Sequence, residues 1–147
     1  MRCAPHSLLC LAVSLVAAST FLTGCSLFGS DEATTLPEVP AMEVVANIAT
    51  LHRCSRISPE LQVLKPPRGV VRYDVRLIEH GEDDVFLGGG SWPADESGII
   101  PEGALTRHYR GPCPPVGTSR EYSFMVSAMG ANNIQPLEVR LYRFTQE

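Results

Sequence analysis

His52, His80 and His108 carry the side chains of this 147-residue chain best suited to holding a metal, yet no two have the short spacing of a metal-binding pair. The run Glu79-His80-Gly81-Glu82-Asp83-Asp84 gathers carboxylates, but without the regular oxygen-ligand spacing of a calcium loop. It reads as a solvated charged turn. Ser55, Ser58, Ser91 and Ser119 stand in none of the settings that make serine a nucleophile. Gly88-Gly89-Gly90 is not followed by the Lys-Ser/Thr pair of a phosphate loop. Trp92, directly before Pro93, reads as a core aromatic or a pocket lid. These patterns predict no enzyme, no bound metal and no cofactor.

The segments around these residues predict strands. Met42–Ile48 alternates Met42, Val44, Ala46 and Ile48 against Glu43, Val45 and Asn47, a strand with one wet face. Val71–Leu77 is the clearest, with Val71, Tyr73, Val75 and Leu77 inward and Arg72, Asp74 and Arg76 outward. Tyr122–Ala128 places Tyr122, Phe124, Val126 and Ala128 on one side. Asn132-Asn133 marks a turn, and Leu137, Val139 and Leu141 form the final strand. Cys54–Gly69, with Pro59, Pro66 and Pro67, reads as an ordered loop, and Gly88–Gly90 as a hinge or bulge. No window after the leader keeps a helical apolar stripe. The expected fold is mostly β, a small antiparallel sandwich with few or no helices over residues 41–147.

The first 24 residues are of another kind. A head carrying Arg2 precedes the uncharged, proline-free run Leu8–Phe21, the order of a secretory signal and too short for a stable membrane span. It ends on Leu22-Thr23-Gly24-Cys25, which resembles the lipobox of bacterial lipoproteins. The resemblance implies cleavage before Cys25 and lipidation of its thiol. Ser26, rather than Asp, implies sorting to the outer membrane, facing the periplasm. Residues 25–40, polar, acidic and broken by Pro37 and Pro40, read as a lipidated N-terminus and flexible tether. The net charge of −4, with scattered basic residues, argues against nucleic acid as a partner. Of five cysteines, two leave with the signal and one takes lipid. Cys54 and Cys113 remain, either as a disulfide favoured by an oxidising compartment or as two buried thiols.

Four pieces, in order, resemble the phosphatidylethanolamine-binding protein family, whose bacterial branch is often called Raf-kinase-inhibitor-like. They are Cys54-Ser55-Arg56-Ile57-Ser58-Pro59-Glu60-Leu61, Pro67-Arg68-Gly69 leading into the Val70–Ile78 strand, Pro93-Ala94-Asp95 with Ile100-Pro101-Glu102-Gly103-Ala104, and Tyr109-Arg110-Gly111-Pro112-Cys113-Pro114-Pro115. The resemblance implies a β-sandwich with a small end cavity for phosphate-like anions and phospholipid headgroups. Several cavity positions depart from the family pattern. Its Asp-Pro-Asp run falls on Ile78-Glu79-His80-Gly81-Glu82, its pocket histidine on Phe86, and its His-Arg-Tyr turn on Arg120-Glu121-Tyr122. The family's C-terminal helix is missing from the sequence.

An anion in a partly dry pocket needs donors. Those left are the N–H groups of Gly111, Cys113 and Val116, the Tyr109 hydroxyl and an Arg120 fork. The candidate pocket is therefore Glu79, Tyr109, Gly111, Cys113, Arg120 and Tyr122, remodelled, with altered or absent anion binding. Against it stands a rigid buried turn beside a solvated arginine. Three functions follow as expectations. The first is a lipid-anchored, non-catalytic domain binding a small anionic or headgroup-like ligand. The second is an interaction or protease-inhibitor-like envelope module using the Glu79–Gly90 loop. The third is a structural lipoprotein without a ligand.

Overall fold

Residues 41–147 are the part described by the computed structural model. The signal, Cys25 and the tether through Pro40 lie outside the described residues. The strands are β1 (Glu43–Asn47), β2 (Glu60–Leu64), β3 (Val70–Glu79), β4 (Val85–Pro93), β5 (Ile99–Ile100), β6 (Arg120–Gly130) and β7 (Pro136–Gln146). They form a three-stranded sheet in the order β1-β2-β5 and a four-stranded sheet in the order β4-β3-β6-β7. Every pairing is antiparallel. Helical structure among the described residues is confined to one 3-10 turn, Thr50–His52. The mostly β, sandwich-like expectation holds.

The register follows the period-two patterning. Tyr73, Val75 and Leu77 of β3 stand opposite Ala128, Val126 and Phe124 of β6, all buried. They meet Ala46, Leu61, Val63 and Ile100 of the other sheet in one apolar core, with Leu105 and Tyr109 from the β5–β6 connection. Val71 is the exception to the expected inward set, at 46% exposed. The β3–β6 register slips between Val70 and Arg72, and this bulge takes Val71 out of the alternation.

Two strands lie where loops were expected. β2 runs through the proline-flanked Cys54–Gly69 segment, burying Leu61 and Val63 against β1. β4 occupies half of the expected Glu79–Gly90 loop, leaving residues 80–84 between strands. The expected bulge is present within it, because the register slips between Arg76 and Ile78, leaving Leu87 and Gly88 opposite Leu77. On β7 the apolar residues Leu137, Val139 and Leu141 face outward, 40–47% exposed. The inner positions there are Glu138, Arg140, Tyr142 and Phe144, opposite buried residues of β6.

Candidate functional site

The loop motifs converge on one knot beside the core. The Cys54 N–H donates to the Pro112 carbonyl at 2.9 Å, the Gly111 N–H donates to Ser55 at 2.7 Å, and Cys54 and Cys113 form a disulfide. His52 is buried. It accepts the Ala49 N–H at Nδ1 (2.9 Å), which leaves Nε2 to donate to the Glu102 carboxylate at 3.0 Å. The buried Ser58 hydroxyl accepts the Leu105 N–H, while its carbonyl accepts that of Gly103. Gly111 is required here, since a Cβ would lie 2.1 Å from the His52 carbonyl oxygen. Ile-Ser-Pro, Pro-Glu-Gly and Gly-Pro-Cys are thus the parts that lock three loops together.

That locking alters the expected pocket. Glu79, Arg120, Tyr122 and the Cys113 backbone do come together at the ends of β3 and β6. Arg120 is already committed, its Nη1 donating to Glu79 at 3.1 Å. Burial first, and then Glu79, push the Tyr122 phenol up to about 12, against a smaller downward pull from Arg120 and the Cys113 backbone. The Tyr122 hydroxyl makes no hydrogen bond of good geometry. The Gly111 N–H is spent on Ser55, so it is no anion donor. Tyr109 is buried, with an unbonded hydroxyl and a phenol raised by desolvation. Phe86 does not join the group, because it pairs with Ile78 on the outer face of the sheet while Glu79 pairs with Val85 on the inner side. Four of the six residues thus form a corner closed by the Glu79–Arg120 pair, and Tyr109 and Gly111 are buried without joining it.

The open concavities lie elsewhere. One, of about 760 Å³, sits on the outer face of β3 and β4, lined among others by Arg72, Asp74, Arg76, Phe86, Arg107 and His108. The second, of about 330 Å³, is lined by Arg56, Phe86, Gly88, His108 and Arg110. Phe86 and His108 line both, and none of the six expected pocket residues lines either. Segment 106–110 builds the wall by running antiparallel along β4: Arg107 exchanges backbone hydrogen bonds with Gly89 at 2.8 and 3.0 Å, and the Arg110 N–H donates to Leu87. This approach needs Gly88, which has φ +103 and whose Cβ would meet the His108 carbonyl oxygen at 2.4 Å. His108 itself takes a left-handed φ of 54°.

Charge in this groove is unevenly used. Asp74 accepts a two-pronged bond from Arg72 (3.0 and 2.9 Å) and the Ser91 hydroxyl (2.6 Å), and the Arg72 bond first of all holds its carboxyl below the ordinary range. Asp84 is bonded to His80 Nδ1, whose other nitrogen meets the Ser123 hydroxyl. Among the described residues, Arg56, Arg76, Arg107 and Arg110 have no carboxylate within ion-pair distance. None of these four arginines is a sequence-predicted site residue: Arg56 and Arg110 fall inside two of the motifs, Arg76 at an outward position of the Val71–Leu77 strand, and Arg107 in neither. No group of three His, Cys, Asp or Glu among the described residues is arranged to hold a metal ion.

Comparison of three-dimensional structures decides the fold. The chain is similar to E. coli YbcL, described as a new member of the mammalian PEBP family, with 15% identity over 74% of this chain and 99% of that one and a TM-score of 0.55. The domain has a PEBP-like fold. At the level of sequence, no protein family and no curated protein matches the chain. Within this fold, hydrogen bonds among the Ile-Ser-Pro, Pro-Glu-Gly and Gly-Pro-Cys pieces hold three of the loops together.

Proposed function

We propose that this protein is a lipid-anchored, non-catalytic binding protein of the cell envelope, tethered through Cys25 to the outer membrane and facing the periplasm. Its PEBP-like domain takes a small anionic, headgroup-like ligand. One observation carries the binding part: four arginines without carboxylate partners line the joined concavities around Phe86 and His108, in a chain whose net charge is −4. Arginine's planar fork suits phosphate and carboxylate groups, and a concave, partly apolar wall strengthens such bonds. The Glu79–Arg120 corner lines neither concavity and is not the site.

The test is titration of the full-length protein in detergent with inorganic phosphate and with phosphoethanolamine. A ligand that binds only the folded state stabilises it by RT ln(1 + [L]/Kd), about 2.7 kcal/mol at a hundred times Kd. The expected result is a rise in melting temperature that is lost in an Arg76→Gln, Arg107→Gln variant of unchanged circular dichroism. No rise at millimolar ligand overturns the reading. A second reading, an envelope protein-interaction module, draws on the outward Leu137, Val139 and Leu141 of β7. Crosslinking and pulldown from envelope extract with a Val139→Lys control separates the two.

A further inference from the structure

Resting on that anion-binding reading, we propose that the groove is a two-lobed site for a ligand with two anionic groups, phosphate- or carboxylate-like, joined by an apolar or planar linker lying across Phe86 and His108. The division comes from the lining. The larger lobe offers Arg76 and Arg107, whereas the smaller offers Arg56 and Arg110 and is lined by no acid. Phe86, 52% exposed on an outward strand position, and His108 line both lobes, so they mark the boundary.

Of the two carboxylates of the larger lobe, Asp74 is offset by its paired Arg72 and held by Ser91, while the Asp84 side chain lies 61% exposed and hydrogen-bonded to His80. Each lobe keeps two guanidinium groups outside ion-pair distance of any described carboxylate, although the charge of Arg76 also acts on Asp74. Two such groups are a suitable complement for one phosphoryl or carboxyl group. Separate pieces of the fold hold the two pairs. Strand β3 and the Gly89–Arg107 bridge place Arg76 and Arg107. The bonds from Cys54 to Pro112 and from Gly111 to Ser55 hold the chain that carries Arg56 beside the chain that carries Arg110. A single anion can use only one pair. A ligand spanning both gains because its second group binds intramolecularly, at high effective concentration. The exposed ring of Phe86 favours a linker with apolar surface over a fully hydrated one.

The experiment is isothermal titration of the full-length protein in detergent with methylphosphonate and a series of α,ω-alkane and phenylene bisphosphonates. At the best linker length the bisphosphonate is expected to bind at least tenfold tighter than methylphosphonate. An Arg56→Gln, Arg110→Gln pair or an Arg76→Gln, Arg107→Gln pair, each checked for an unchanged melting temperature, should return it to the level of the monoanion. Phe86→Ala should weaken the linked ligand by a larger factor than methylphosphonate, lowering the ratio of the two affinities. A series in which no bisphosphonate exceeds methylphosphonate overturns the two-lobed site while leaving anion binding standing; absence of binding by every anion removes both. Given the gain, a short-chain diphosphatidylglycerol separates the sources of such a ligand. Binding tighter than the bare bisphosphonate marks a lipid headgroup, and weaker binding marks a free solute.

Discussion

Tyr109 sits in the motif that most suggested a ligand, yet its phenol is buried and its hydroxyl makes no hydrogen bond among the described residues. A buried hydroxyl without a partner costs roughly 1–3 kcal/mol, whereas an apolar group of the same shape costs nothing comparable. Tyr109→Phe is therefore expected to raise stability by on the order of 1 kcal/mol in urea unfolding and to leave phosphate binding intact. A loss of binding would return Tyr109 to the site. Asp74 makes the opposite case, a carboxylate that earns its place through charge. Its folded pKa lies below the ordinary value, chiefly through Arg72 and then through Ser91 against the cost of burial. The stability it contributes is present above about pH 4 and is lost as pH falls through the folded value. Asp74→Asn should lower the melting temperature at pH 7. The two melting curves should converge as the pH falls below about 4 and through the folded value, below which both side chains are neutral.

At the scale of elements, alternation was readable wherever one face of a strand carried large side chains. Tyr73, Val75 and Leu77, and Tyr122, Phe124, Val126 and Ala128, announce β3 and β6 because apolar and polar residues interleave with period two. β2 lies hidden between prolines, and β4 gives no pattern because Gly88, Gly89 and Gly90 bring no side chains to read. The closed corner was readable in its residues but not in its closure: that Arg120 meets Glu79 depends on the β3–β6 register, where Glu79 stands opposite Tyr122. The arginine groove was unreadable for a related reason, since Arg56, Arg76, Arg107 and Arg110 become neighbours only through pairing between distant segments. The disulfide secures part of that arrangement. It closes a 59-residue separation, which in the chain-entropy account contributes about 4 kcal/mol. Both of its cysteines are in exposed positions, within reach of a reductant. Reduction should lower the denaturant midpoint by an amount worth roughly 2–4 kcal/mol. It should also weaken bisphosphonate more than methylphosphonate, because Arg56 and Arg110 lose their common support. Equal losses for both ligands would mean that the smaller lobe does not depend on this crosslink.

For the whole molecule, the question is where the domain works, and that rests on residues ahead of Ala41. A groove of arginines in the cytosol would meet nucleotides and metabolites at millimolar concentration; in the periplasm it meets envelope solutes and the headgroups of the membrane that holds it. We propose the second setting, on the resemblance of Leu22-Thr23-Gly24-Cys25 to a lipobox, and the Cys54–Cys113 bond suits an oxidising compartment. Anchoring of this kind takes more than one chain, since each buried methylene contributes about 0.8 kcal/mol and a single acyl chain leaves exchange easy. Cells expressing the wild-type chain with labelled palmitate are expected to show a labelled, processed protein in the outer-membrane fraction. The Cys25→Ala chain should carry no label and keep its leader, and its domain should still bind phosphate with unchanged affinity, because no described part of the groove involves residue 25. Label persisting on Cys25→Ala, or a wild-type protein that stays unlabelled in the cytosol, would place the groove among cytosolic solutes and remove the envelope from its function.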